Sequence, residues 1–159
     1  MMFKTHIAFG SLMAILAIQL IKPPQPWLFF GLMVFCASVP DIDEHKSKIG
    51  MKLEFIAYVI KTIFGHRGLF HSIFIPLAIF LILHYWLGWT YIGLAIALGY
   101  ISHLIADSLT IEGVNFLHPI SKFHVSGFIR TGSFLETLFF LTVLGANLFV
   151  INYFYLNLF

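Results

Sequence analysis

The sequence predicts an all-α fold, a polytopic membrane helix bundle of about five transmembrane helices plus one interfacial helix. It forms one integral-membrane domain over residues 1–159. Three observations predict this. Hydrophobic residues make up 60% of the chain and mean hydropathy is +0.94, more than a soluble domain with 10% charged residues could cover. Apolar runs of near-membrane length recur between short polar or proline-rich turns. The few basic residues also fall almost entirely on one side of that pattern.

The elements follow in order. Met1-Met2-Phe3-Lys4-Thr5-His6 leads into an apolar run, Ile7 to Ile21. No polar stretch with a small-residue cleavage site follows it, so it is expected to be a retained first span rather than a signal peptide. Lys22-Pro23-Pro24-Gln25-Pro26 is a non-helical turn. Trp27 to Val39 is the second run, a helix of roughly 20 Å against a hydrocarbon core of about 30 Å. It ends at Pro40-Asp41-Ile42-Asp43. Glu44 to Lys52 is polar and loop-like. From Leu53 to Phe64, apolar Leu53, Ile56, Ile60 and Ile63 with Glu54 and Lys61 predict an interfacial helix. Leu69 to Leu87 is the third span, Gly88-Trp89-Thr90 a turn, Tyr91 to Leu109 the fourth span. Glu112 to Ser133 is an ordered loop and Phe134 to Leu156 the fifth span.

With the N-terminus cytoplasmic, Lys4, Lys46, Lys48, Lys52, Lys61, Arg67, Lys122 and Arg130 lie inside and only Lys22 lies outside. The C-terminus is then external, in a multi-pass protein of the inner (plasma) membrane. The single Cys36 excludes an internal disulfide and argues against a thiolate metal site. A net charge of +2 without an aromatic-interleaved basic cluster gives no reason to expect nucleic acid. The lipid bilayer is the expected partner.

In this topology His6 begins span one, Asp41 and Asp43 end span two, and His66 and His71 flank the start of span three. His103 and Asp107 end span four, and Glu136 begins span five. All fall at cytoplasmic helix ends, which a bundle brings together. Ionisable groups in or beside lipid need a partner or a metal to offset the cost of burial. His103 and Asp107 are four apart, about 40° on a helix, so they point the same way, with Tyr100 and Thr110 on the same stripe. Alone, the pair reads equally as a hydrogen-bonded pair that holds the bundle. Asp41 and Asp43 alone read as turn chemistry after a proline; beside the histidines they offer one ligand and one general base. His66 and His71, about 140° apart on a straight helix, share a metal if Arg67-Gly68 turns and the helix starts near Leu69. Arg67 suits a phosphate or carboxylate, against simple snorkelling to headgroups. His84 is expected at the external interface, and His45, His118 and His124 in loops. Gly-rich phosphate loops and nucleophile elbows are absent, and Ser72 is poorly placed to use His71 as its base.

Pro40-Asp41-Ile42-Asp43, Gly65-His66-Arg67-Gly68 with His71-Ser72, and Gly99-Tyr100-Ile101-Ser102-His103-Leu104-Ile105-Ala106-Asp107 resemble the YdjM-like inner-membrane metal-dependent hydrolases. So do Leu109-Thr110 with Gly113-Val114, Pro119, and Gly132-Ser133 before Glu136. The resemblance runs from about His6 to Glu136. That family is in turn distantly similar to the zinc-dependent phospholipase C and nuclease superfamily. The resemblance implies metal positions at His6, one of Asp41 and Asp43, His66, His71, His103 and Asp107, with Asp107 bridging. Two departures point to one or two ions rather than three. No cleavage is expected to expose a processed N-terminal ligand, and Gly132 stands where the superfamily has a histidine one turn before the late acid. Phe70 and His118 also depart from common family residues, without touching a proposed ligand.

The expected function is metal-dependent hydrolysis at the cytoplasmic interface, with a divalent metal, Zn²⁺ first, activating water. Asp41 is assigned as the ligand and Asp43 as the base, with Glu136 a second candidate base. Arg67, with Arg130, holds the anion of a lipid or phosphoester substrate. The alternative is a non-catalytic membrane metal-binding or assembly protein with the same ligands. A transporter or redox carrier would continue its polar groups to the external face, where only His84 is offered.

Overall fold

The computed structural model describes residues 1–40 and 69–156. Within them regular structure is helical, apart from two isolated bridge pairs. The helices are α1 (Phe3–Ile21), α2 (Pro26–Cys36), α3 (Phe74–Tyr85), α4 (Thr90–Ser108) and α5 (Phe134–Ile151). A 3₁₀ turn, Leu69–His71, precedes α3, and a π-helical turn, Asn152–Leu156, continues α5. The expected interfacial helix at 53–64 lies outside the described residues.

Several boundaries differ from the expected ones for local reasons. α1 starts before Ile7 and takes Thr5 and His6 into the helix, where both are buried. It stops where Lys22 turns left-handed (φ 50°), its N–H reaching back to the Ile18 carbonyl, just before the two prolines. Pro26 occupies the first turn of α2, where its missing N–H costs nothing. That helix ends at Cys36, short of Val39. Ser38 Oγ donates to the Phe35 carbonyl (2.7 Å), and after a turn at Ala37 and Ser38 the chain runs on as 3₁₀ backbone at Val39 and Pro40. The expected third span does not start as an α-helix at Leu69. Pro76 would place its ring against a helical carbonyl at Ser72, so the chain makes a 3₁₀ turn first.

Among the described residues, three helical stretches are long and apolar enough to cross a bilayer: Phe3–Ile21, Thr90–Ser108 and Phe134–Leu156. α2 and α3 are apolar but shorter, below the approximately 20 residues that a full span needs.

α4 is the centre of the bundle, packing against α1, α2 and α3, while α5 packs on α1. Ala14, Phe29, Met33 and Ala95 form one buried cluster between α1, α2 and α4. The backbones approach closely here. A Cβ on Gly10 would lie 2.5 Å from the Ala37 Cβ, and one on Gly99 2.9 Å from the Met33 Cα. Small residues at such crossings are how membrane helices gain contact. Leu138, Leu141, Leu144, Leu148 and Phe149 leave α5 exposed and apolar, a surface suited to lipid. Exposed Trp27, Tyr85, Trp86, Trp89, Tyr91 and Tyr153 gather where α2 and α4 begin and α3 and α5 end. Aromatic residues of this kind mark a membrane–water boundary. The 112–133 segment is ordered as expected, with Thr110 beside Ile129 and Val114 beside Val125.

Candidate metal centre

The opposite helix ends carry the site. The first turn of α1 supplies His6, the last turns of α4 supply His103 and Asp107, and the 3₁₀ turn supplies His71. All four are buried. Asp107 is the hub. Its Oδ1 lies 3.2 Å from His6 Nε2, and its Oδ2 lies 3.5 Å from His103 Nε2 and 3.9 Å from His71 Nε2. The His6 and His103 rings stack at 3.9 Å between centroids, and His71 meets His103 edge-on at 5.5 Å. One ligand atom from each of His6, His103 and Asp107 falls within 4.8 Å of the others. The amino group of Met1 also donates to Asp107 Oδ1, at 2.5 Å.

Backbone groups fix the orientation of these side chains. His103 Nδ1 bonds the Ala37 carbonyl at 2.9 Å; a carbonyl only accepts, so Nδ1 carries the proton and Nε2 faces Asp107. Tyr100, one turn earlier on the same face, donates to the Phe70 carbonyl at 2.5 Å and so ties down the turn that carries His71. The Ile73 N–H bonds the Phe116 carbonyl, joining that turn to the 112–133 loop. Thr110 Oγ1 returns to the Asp107 carbonyl at 2.7 Å and closes the end of α4.

The donor set fits a divalent cation. Among the described residues, three imidazoles converge on the one carboxylate of Asp107. Both nitrogens of His6 are buried without a hydrogen bond, although Nε2 stands near Oδ1. A buried imidazole in that state is expected to have a partner. Nitrogen and carboxylate donors without thiolate match Zn²⁺ and leave Mn²⁺ or Fe open.

Glu136, assigned as a candidate base, is fully buried at the start of α5. Its Oε1 accepts the Met2 N–H at 2.5 Å, and its Oε2 accepts the Gly132 N–H at 2.7 Å. Arg130 is exposed on the loop, His118 is half-buried and His124 exposed. His84 bonds Thr90 Oγ1 at 2.9 Å at the aromatic end, as expected of an interfacial residue. Of the residues singled out in the sequence, the structure therefore joins His6, His71, His103 and Asp107. Asp41, Asp43, His66 and Arg67 lie outside the described residues.

Three contributors are not visible in the residue pattern: the Met1 amino group, the Ala37 carbonyl and the link from Glu136 to Met2. Backbone groups leave no mark in a sequence. Glu136 does leave one, because Ser133-Phe134-Leu135-Glu136 has the S-x-x-E form of a helix capping box.

A family model described as "YdjM inner membrane protein" matches residues 1–158. The chain is 32% identical to YvsG of Bacillus subtilis (strain 168) over 154 residues, which cover 96% of this chain and 94% of that protein. It is 39% identical to the inner membrane protein YdjM of Escherichia coli (strain K12) over 101 residues, 58% of this chain and half of that protein's length. The YdjM of Shigella flexneri matches to the same extent. No solved structure matches.

Proposed function

Since the chain belongs to the YdjM inner membrane protein family, we propose that it is a membrane-embedded metal-dependent hydrolase acting on phosphoester or lipid-phosphate substrates. The site would lie at the cytoplasmic interface of the inner membrane, with the N-terminus inside and the C-terminus outside. The one-sided distribution of Lys and Arg supports that orientation. One observation carries the reading. Imidazole nitrogens from α1, α4 and the Leu69–His71 turn meet around the two oxygens of Asp107, in a pocket buried from solvent.

His6, His71, His103 and Asp107 would hold the metal, with Asp41 and His66 completing the set. When bound, a divalent ion supplies Lewis acidity and a water that ionises near neutral pH. The rest of the work belongs to side chains. Asp43, the carboxylate beside the ligand Asp41, takes the proton of the attacking water. Arg67 holds the anionic group in its planar fork and stabilises the charge that develops there. The packing of α1 against α4 buries His6, His103 and Asp107, and exclusion of bulk water there strengthens the electrostatic interactions among them.

The decisive experiment is turnover of a phospholipid phosphodiester by detergent-purified protein. Chelation is expected to abolish it and Zn²⁺ to restore it, with His103→Ala inactive throughout. Metal bound without any turnover would instead favour the non-catalytic metal-binding reading. Absence of bound metal in the wild type would sink both.

A further inference from the structure

Glu136 does more than cap its own helix. Half of a capping box is present: Ser133 Oγ accepts the Glu136 N–H at 3.3 Å. The carboxylate turns back through Oε2 to the N–H of Gly132, one residue before the cap, and the Ser133 N–H bonds the Arg130 carbonyl. In an isolated capping box the second oxygen faces water. Here Oε1 crosses to another helix and accepts the N–H of Met2, 134 residues away in sequence. Met2 is the residue that opens α1, and it provides no side-chain cap of its own. One carboxylate thus serves a backbone donor at the N-cap of α1 and one just ahead of α5, and both helix dipoles present their positive ends to it. Charge-assisted bonds of this kind offset the cost of burying a carboxylate completely.

The consequence reaches the metal centre. Met2 stands four residues before His6, and the His6 N–H bonds the Met2 carbonyl at 3.3 Å. Holding Met2 therefore sets both the height and the rotation of α1 at His6. That rotation places His6 Nε2 at 3.2 Å from Asp107 Oδ1.

We infer that Glu136 is a positioning residue, a carboxylate clamp between the starts of α1 and α5 that sets the reach of His6 to Asp107. It is neither a metal donor nor the general base. The clamp stands on the hydrogen bonds alone; its effect on metal affinity rests on the proposed metal centre.

The test compares full-length wild type with Glu136→Gln in detergent micelles, using ¹⁵N-methionine labelling and a Co²⁺ titration. In wild type the Met2 amide is expected at low field and slow to exchange with solvent. In Glu136→Gln it moves upfield and exchanges faster. The Co²⁺ Kd rises about 10–100-fold, the range for groups that orient a ligand, while stoichiometry and the positions of the d–d bands hold. An unmoved Met2 resonance overturns the clamp, whatever the metal does. A moved resonance with unchanged Kd overturns the positioning role. Altered band positions or a lost ion would make Glu136 a ligand, which also overturns it. If wild type binds no Co²⁺, the metal centre and the positioning role fall together, and the Met2 resonance still decides the clamp. Should Glu136→Gln fail to fold, Glu136→Asp, one methylene shorter, serves the same comparison with the same expected directions.

Discussion

Nδ1 of His103 is bonded to the carbonyl of Ala37 at 2.9 Å, across the crossing of α4 with the end of α2. That bond fixes the tautomer and aims Nε2 at Asp107. A backbone carbonyl hydrogen-bonded in this way locks the imidazole ring, and were His103 to hold a metal it would also raise the basicity of Nε2. It also ties the site to the helix packing, because Ala37 sits where Gly10 of α1 passes closest.

The first prediction follows from that crossing. Gly10→Val would put branched carbon where even a single added Cβ would come within 2.5 Å of the Ala37 Cβ. Overpacking of this kind costs about 1–3 kcal/mol, and Ala37 must move away from His103. Thermal melting should show the loss of stability, and metal titration a weaker site. Wild-type affinity in a destabilised variant would separate the packing from the centre.

Tyr100→Phe removes the bond to the Phe70 carbonyl and leaves the ring volume in place. The expected stability loss is about 0.5–1.5 kcal/mol. Because the Leu69–His71 turn loses one of the bonds that hold it, metal affinity should fall about tenfold. Isothermal titration with Zn²⁺ measures the second effect, and an unchanged Kd would remove His71 from the ligand set.

Asp107→Asn is expected to reduce metal content to background in elemental analysis, since each histidine of the centre faces one of its carboxylate oxygens. In wild type, Zn²⁺ at 100 times its Kd should add about 2.7 kcal/mol of stability by mass action. The variant should show no such gain. Equal thermal shifts in the two proteins would place the ion elsewhere.

Asn147 tests the bundle without the site. Its Nδ2 donates to the Ala8 carbonyl (3.0 Å) and to the Val143 carbonyl (2.9 Å), linking α5 to α1 from a buried position. Asn147→Leu should cost about 0.6 kcal/mol, up to about 1.7 kcal/mol, as for other hydrogen bonds inside membrane bundles. Metal stoichiometry should stay at the wild-type value. A lost ion would show that the α1–α5 contact near Ala8 controls the centre as well.

Composition and the spacing of apolar runs made the helical class and the order of the helices legible. The turn at Lys22–Pro26 and the starts of α4 and α5 also fell within a residue of where the pattern put them. Helix ends were less legible where one proline acts at a distance. Pro76 shortens α3 from a position four residues past Ser72, which a run of apolar residues does not register. The gathering of His6, His71, His103 and Asp107 was legible too, because alternating helix directions put all four at one end of the bundle.

The sequence by itself determined a greasy helical chain, the residue types of its polar cluster and the end of the bundle where they meet. Those follow from local periodicity and from counting turns. Only the tertiary structure decided which Asp107 oxygen each imidazole faces, that Ala37 sets the face of His103, and that Glu136 reaches Met2. Each of these joins positions distant in the chain, and two of them run through backbone atoms common to every residue. No residue pattern encodes such a contact; the packing of α1 and α2 on α4 and of α5 on α1 creates it.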